Sequence, residues 1–353
     1  MDLLLYTFSK CFPCFPNLSS PSVTINNAKY KIIRLLGEGG FSYVYLVSKG
    51  SSNSLYALKK IRCPFGGDES FKMALKEIRN YHRFTSSKTP YIIQSIDESV
   101  VDESDGSKTI YVILPYFEQS LQDIINRNVL NNTSMAEEEV VRIFIGICRG
   151  LQAMHKYKTY GTGVEEEEDA LLLPGTAGEE DEGEFTMNGG EMSEMIPFAH
   201  RDLKPANVML PSTDGIPVLV DLGSCSKARI QVRSRQQALS LTDFAQEHCT
   251  LPYRAPELLD VATGSTIDES TDIWSLGCVL YACMYGFSPF EKLELDEGAN
   301  LNLAISQCKY NIPNSGEYSE GLKSLIGKCL RLKSSERPTI DEILEDALQL
   351  SRS

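Results

Sequence analysis

From Tyr30 onward the chain carries short runs rich in β-branched, aromatic and aliphatic residues, bounded by turn residues, as strands do. Lys31-Ile32-Ile33-Arg34-Leu35-Leu36, Tyr43-Val44-Tyr45-Leu46-Val47 and Ser54-Leu55-Tyr56-Ala57-Leu58-Lys59 predict three strands joined by glycine- and serine-rich turns. Phe71, Ala74, Leu75, Ile78 and His82 then recur at helical spacing, and two further strands are expected at Ile92–Ile96 and Ile110–Pro115. Beyond that the period is helical, over 137–155, 271–285, 319–330 and 339–349. A β-rich first third followed by a helix-rich remainder predicts an α+β molecule of two lobes. Residues 1–28, punctuated by Pro13, Pro16 and Pro21, have no such period and are expected to be a tail. Residues 158–197 interrupt the helical region with Glu165-Glu166-Glu167-Glu168-Asp169 and several glycines, and predict a disordered acidic insertion.

Charge sharpens that division. The net charge of the 353 residues is −14, and 161–197 holds twelve acidic residues with no Lys or Arg, so the rest is close to neutral. An acidic balance argues against a nucleic-acid partner. The ten cysteines include a single Cys-x-x-Cys pair, Cys11 and Cys14, with no second pair to complete a zinc site. The other eight are scattered through apolar stretches and suit buried, reduced thiols. No run approaches the ~20 apolar residues of a membrane-spanning helix.

Candidate chemistry lies in three places. Gly37-Glu38-Gly39-Gly40-Phe41-Ser42-Tyr43-Val44 sits between two predicted strands, where glycines let backbone N–H groups approach a triphosphate. A strand on each side does not fit the dinucleotide fingerprint, which needs a following helix. Ala57 and Lys59 share a strand face, so with Val44 they can floor an adenine pocket while Lys59 reaches phosphates. Lys60 and Leu58 point the other way, and Lys60 is expected to face solvent. Glu77, on the predicted helix, is the candidate anion for Lys59, with Glu69 in a Gly-Asp-Glu-Ser turn as the runner-up. Finally, His200-Arg201-Asp202-Leu203-Lys204-Pro205-Ala206-Asn207, followed fourteen residues later by Asp221-Leu222-Gly223, spaces two aspartates, a lysine and an amide as needed to hold ATP-bound Mg2+ beside a substrate hydroxyl.

These segments, taken in order, resemble the glycine loop, catalytic loop and metal-binding loop of eukaryotic protein kinases. Thr250-Leu251-Pro252-Tyr253-Arg254-Ala255-Pro256-Glu257, Asp272-Ile273-Trp274-Ser275-Leu276-Gly277 and Glu336-Arg337-Pro338 resemble the family's later structural motifs, with Arg337 expected to pair with Glu257. The resemblance covers about 29–348 and implies a bilobal kinase fold, with a small antiparallel β-rich N-lobe (29–114), a larger α-helical C-lobe (115–348) and ATP·Mg2+ in the cleft between them. It implies that Leu36, Gly37, Glu38, Gly39, Gly40, Phe41, Ser42, Tyr43, Val44, Ala57, Lys59 and Glu77 serve ATP binding, that Asp202 is the base with Lys204 offsetting developing charge, and that Asn207 and Asp221 hold the metal. Ser42 stands where a third glycine is usual and Leu222 where a Phe is usual. Both keep the size or polarity their positions need.

Lys204 and Thr250 fit the serine/threonine group, so protein Ser/Thr hydroxyls are the expected substrates. Gly39–Val44, Gly146-Ile147-Cys148-Arg149-Gly150-Leu151 and Ser234-Arg235-Gln236-Gln237-Ala238-Leu239 are similar to the Numb-associated kinase family, nearest its myristoylated and palmitoylated branch and that branch's fungal vacuolar-membrane relatives. Such kinases carry a helix in the activation segment. Ser240–Glu247 fits one, with Ser240 and Asp243 at capping-box spacing and Leu241, Phe244 and Ala245 on one face. A pre-folded segment implies basal activity without phosphorylation, and the resemblance implies autophosphorylation. Residue 2 is Asp, so the glycine for myristoylation is missing, whereas Cys11 and Cys14, flanked by Phe12 and Phe15, resemble palmitoylation sites. They imply a membrane-surface partner, and the family likeness implies an address on the cytoplasmic face of a vacuolar or Golgi membrane. The alternatives are a membrane-tethered pseudokinase scaffold, which predicts loss of Lys59, Asp202, Asn207 or Asp221, and an adaptor acting through the acidic insertion.

Overall fold

The computed structural model describes residues 21–39, 42–50, 54–86, 89–160, 184–188, 191–211, 215–314 and 316–352. They divide into two compact units, one reaching Phe71 and including Ser95–Tyr116, the other comprising Lys72–Gln94 and the chain from Phe117. The division after Tyr116 lies two residues beyond the expected break at 114/115, and most of the first helix groups with the helical unit.

The first unit is a six-stranded antiparallel sheet. Its strands are β1 (Ser22–Ile25), β2 (Ala28–Glu38), β3 (Ser42–Lys49), β4 (Leu55–Cys63), β5 (Asp97–Asp102) and β6 (Lys108–Pro115), in the order β1-β2-β3-β4-β6-β5. β1 falls within the expected tail. Asn26 and Asn27 both take positive φ, 43° and 67°, and close a two-residue turn of the kind whose twist matches antiparallel strands. Ile25 and Tyr30 thereby enter a core with Val47, Leu58 and Ile113. The strand expected at Ile92–Ile96 lies instead at β5. Ile92 makes only an isolated bridge to Leu219, within the second unit.

The second unit contains α1 (Asp68–Ser86), α2 (Leu121–Asn131), α3 (Glu137–His155), α4 (Arg235–His248), α5 (Ser270–Tyr285), α6 (Pro289–Glu297), α7 (Leu301–Ser306), α8 (Glu320–Cys329) and α9 (Ile340–Leu350). The first few residues of α1 group with the sheet. α5 is buried on every side from Thr271 to Met284, so apolar residues occupy all its faces and Thr271, Asp272 and Ser275 are buried among them. α3 buries a stripe from Val140 to Met154. A Cβ on its Gly146 would stand 2.5 Å from Pro217 Cδ, and one on Gly150 3.0 Å from Leu219 Cγ, so two glycines let this helix lie directly on the segment leading to Asp221.

The sequence reading missed α2, α6 and α7. Ser120 with Asp123 and Ser288 with Glu291 form reciprocal capping boxes, and Asn300 caps α7. Those Ser-x-x-acid spacings were the available signal. The acidic stretch is not irregular throughout. Lys158–Tyr160, Glu184–Asn188 and Glu191–Met195 form an antiparallel three-stranded sheet with the last strand central, so the expected disorder does not hold at these strands. Residues 161–183 lie outside the described residues.

Candidate active site

In the first unit the glycine-rich stretch is the β2–β3 turn. Gly37 pairs with Val44 and Glu38 with Tyr43, and the Gly39 amide donates to the Ser42 carbonyl at 2.8 Å. A Cβ on Gly37 would meet nothing within 4 Å, leaving its backbone open to close approach. Gly40 and Phe41 lie outside the described residues, as do Cys11 and Cys14. Lys59 stands opposite Val44 on β3 and Val112 on β6, and Ala57 opposite Leu46 and Leu114. Directly opposed residues share a face, so Val44, Ala57 and Lys59 lie together, with Lys59 half-buried. Lys60 takes the other face. Its ammonium lies 5.7 Å from the centre of the Tyr111 ring, so it covers an aromatic surface rather than simply facing solvent as expected.

In the second unit the segment from His200 to Asn207 runs from a two-residue strand, Phe198–Ala199, into a 3-10 turn, Pro205–Asn207. Its backbone is held by Asp272 at the start of α5. This fully buried carboxylate accepts the amides of His200 at 2.8 Å and Arg201 at 2.9 Å and pairs with His155 at 3.0 Å. Burial pushes the Asp272 carboxyl up, but the His155 hydrogen bond and charge, with those of His200 and the Arg201 amide, outweigh it and leave it below the usual carboxylate range. The support is needed because Arg201 has φ 67°, a left-handed conformation that costs a non-glycine residue energy.

That bend aims Asp202 at three partners. Lys204 Nζ lies 2.8 Å from Asp202 Oδ2 and donates to Thr250 Oγ1 at 2.7 Å. The Thr250 amide and hydroxyl both donate to Asp202 Oδ1, at 2.8 and 2.7 Å. Asn207 Nδ2 donates to the Asp202 carbonyl at 2.9 Å and reaches Oδ2 at 3.2 Å. Spending the amide nitrogen on Asp202 fixes the amide and leaves Asn207 Oδ1 as an acceptor. The cluster therefore gathers Asp202, Lys204, Asn207 and Thr250 around one carboxylate that is 8% exposed.

Asp221 follows the strand Val218–Leu219, is exposed, and has φ 61°. A Cβ on Gly223 would lie 3.5 Å from Asp221 Oδ1 and 3.4 Å from Glu77 Oε2, so both carboxylates border the same glycine. Glu77 is buried on α1 and accepts from Tyr81 Oη at 2.5 Å. Burial and the Glu77 and Asp221 charges push the Tyr81 phenol well above its ordinary value, so it stays protonated and donating. Glu69 is exposed in the first turn of α1, not in a loop. Among the described residues no three His, Cys, Asp or Glu side chains cluster as a self-sufficient metal cage. A carboxylate and an amide oxygen suit Mg2+, which keeps several waters and shares its coordination with phosphates. Burial pushes the neighbouring Cys225 and Cys249 thiols up to about 12, which makes them poor nucleophiles.

Later in the chain Glu257 and Arg337 form the expected pair, two parallel contacts of 2.6 and 2.8 Å. The activation-segment helix is longer than expected. α4 begins at Arg235, and its cap is Ser234, which accepts from the Gln237 amide, rather than Ser240. The Gln237 side chain returns to the Arg233 amide at 2.7 Å. His155, Asn80 and Tyr81 were not singled out from sequence, since each sits inside a helical period that reads as packing.

The protein kinase domain family matches residues 30–160 and 194–348, and the chain belongs to that family. The gap between the matched segments coincides with the acidic stretch. The chain is 43% identical to serine/threonine-protein kinase ENV7 of Saccharomyces cerevisiae over 94% of each chain. It is 36% identical to serine/threonine-protein kinase ppk13 of Schizosaccharomyces pombe (91% of this chain, 90% of the relative) and 34% identical to human serine/threonine-protein kinase 16 (94% of each). The protein is a serine/threonine protein kinase of bilobal α+β class, with ATP as phosphoryl donor and Mg2+ as cofactor. These relatives also support the resemblance to the Numb-associated group.

Proposed function

We propose that Asp202 receives the proton of a protein Ser or Thr hydroxyl as the γ-phosphoryl group of ATP passes to it. The observation that carries this reading is the bonding of Asp202 Oδ1 to a threonine hydroxyl, Thr250, which Lys204 also contacts. A hydroxyl between a carboxylate and an ammonium is the arrangement a substrate hydroxyl needs for orientation and proton loss. Lys204 offsets negative charge on the transferred group. Asn207 Oδ1 and the Asp221 carboxylate hold Mg2+, which when bound neutralises the phosphate oxygens. Leu36 to Val44 and Ala57 would serve the nucleotide and Lys59 its phosphates. Phosphoryl transfer from γ-labelled ATP to a basic protein substrate tests the assignment. Asp202→Ala is expected to lower kcat at least about a hundredfold with little change in ATP binding. Retained turnover would remove Asp202 from its role.

Neutral acceptors within the activation segment hold it against the catalytic loop. Arg201, which precedes Asp202, donates to Ser226 Oγ at 3.0 Å and to the carbonyls of Lys227 and Ala228 at 3.0 and 2.8 Å. Its guanidinium is thus occupied by neutral acceptors of the segment itself, and α4 is already folded. Basal activity and autophosphorylation follow from this reading. We further propose that acylated Cys11 and Cys14 tether the kinase to the cytoplasmic face of a vacuolar or Golgi membrane, where it serves trafficking. Two acyl chains meet the two-signal requirement for stable membrane anchoring. A Cys11→Ser/Cys14→Ser variant that still sediments with membranes would refute that part.

A further inference from the structure

We propose that Asn80 is a positioning residue for the Asp221–Gly223 loop, clamping it in one conformation before any nucleotide binds. The inference rests on the reading of Asp221 as a metal ligand. Asn80 lies on α1 three residues after Glu77 and is fully buried. Its Nδ2 donates to the carbonyls of Leu222 and Cys225, both at 3.0 Å. Its Oδ1 accepts from the Arg83 guanidinium. That guanidinium in turn lies 4.1 Å from the Phe198 ring centre, in a cluster of edge-to-face contacts among Phe84, Tyr157 and Phe198.

Both amide hydrogens are therefore spent on carbonyls three residues apart, and the Cys225 amide also donates to the Leu222 carbonyl at 3.2 Å. The loop is tied at both ends of one turn by a side chain whose own orientation is fixed. Rotating the loop about Leu222, itself fully buried, would strand the Asn80 amide and two carbonyls away from water. The same helix places Glu77 beside Gly223, so Glu77 borders the loop from the helix face that carries Asn80. Asp221 at φ 61° takes a left-handed conformation that costs a non-glycine residue energy, and the Asn80 bonds to the turn that follows help to hold it. An apolar residue of similar size at position 80 would supply none of these donors, which separates a clamp from core filling.

The test is amide hydrogen exchange of the nucleotide-free full chain, paired with Mg2+ titration of phosphoryl transfer. In the wild type the Cys225 amide is expected to exchange at least about a hundredfold slower than in an unfolded peptide. Asn80→Leu, and Asn80→Ser as a second variant that leaves room for water, are expected to speed exchange across Leu222–Cys225 about tenfold or more, with exchange in α5 unchanged. The Mg2+ concentration for half-maximal rate should rise about tenfold while the KM for ATP at saturating Mg2+ changes less than about twofold. A folded variant with unchanged loop exchange overturns the clamp. So does an unprotected Cys225 amide in the wild type, a measurement that needs no variant. Asp221→Ala separates the two readings: unchanged Mg2+ dependence there removes Asp221 as a ligand, while the exchange result still decides the clamp.

Discussion

Replacing Glu257 by alanine should destabilise the helical unit more than any surface ion-pair change. Arg337 has no exposed side-chain surface and Glu257 is 20% exposed. The guanidinium also donates to the Arg331 and Ser270 carbonyls, at 2.9 and 3.0 Å, and stands 5.1 Å from the Trp274 ring centre. Breaking a buried pair by removing one partner costs about 3–5 kcal/mol because the other charge is left uncompensated. The partial exposure of Glu257 and the carbonyl acceptors that remain place Glu257→Ala near the lower end, about 3 kcal/mol. At roughly 2–4 °C per kcal/mol for a unit of this size, Tm should fall by about 6–12 °C. Calorimetry and urea unfolding give the value. A double-mutant cycle with Arg337→Met should show that the second substitution adds much less than it costs alone, since the stranded charge is then gone. Lys292→Ala provides the contrast. Its pair with Asp296 is exposed at 30% and 53%, and its loss should cost no more than about 0.5 kcal/mol. A cost below about 1 kcal/mol for Glu257→Ala, or simple additivity in the cycle, would refute the argument.

Ser234→Ala should cost about 1 kcal/mol by removing the cap of α4, whereas Ser240→Ala, inside the helix, should be near neutral; equal effects in urea unfolding would reverse that assignment. Because the Asp272 carboxyl lies below its unfolded value in the folded protein, its contribution is full above about pH 4 and is lost as pH falls through the folded value. The urea midpoint should therefore drop in that acid range, and Asp272→Asn should flatten the slope there; a wild-type slope retained in the variant would assign it to other groups. Thr250→Val removes the hydroxyl between Asp202 and Lys204 and should lower kcat about tenfold or more with a smaller effect on the KM for ATP, measured by steady-state phosphoryl transfer. Phosphatase-treated protein expressed in bacteria should retain basal activity, and an inactive sample would contradict the pre-ordered segment.

Much of this molecule is legible from residue order. Short apolar runs bounded by turn residues mark β2, β3, β4 and β6, and the first helix and the longest helices of the second unit show their apolar period, because a helix with one buried face must write that face into the sequence. The short capped helices were passed over because their apolar runs are too brief to show a period, although Ser120-x-x-Asp123 and Ser288-x-x-Glu291 announce them. β1 was lost in the proline-rich segment beside it, although the Asn26-Asn27 turn was visible.

At the site, the spacing of Asp202, Lys204 and Asn207 by itself marked side chains that meet around one carboxylate, since a loop this tight limits which short side chains can converge. Sequence alone also fixed the glycines of the β2–β3 turn, where backbone freedom is a property of the residue. Tertiary structure decided what holds those groups still. Asp272 under the His200–Arg201 backbone, Tyr81 on Glu77 and Asn80 on the Leu222 and Cys225 carbonyls come from elements 70 or more positions away or from inside a helical stripe. A buried polar side chain carries no periodic signal of its own; its partner exists only once packing has removed the water that would otherwise satisfy it.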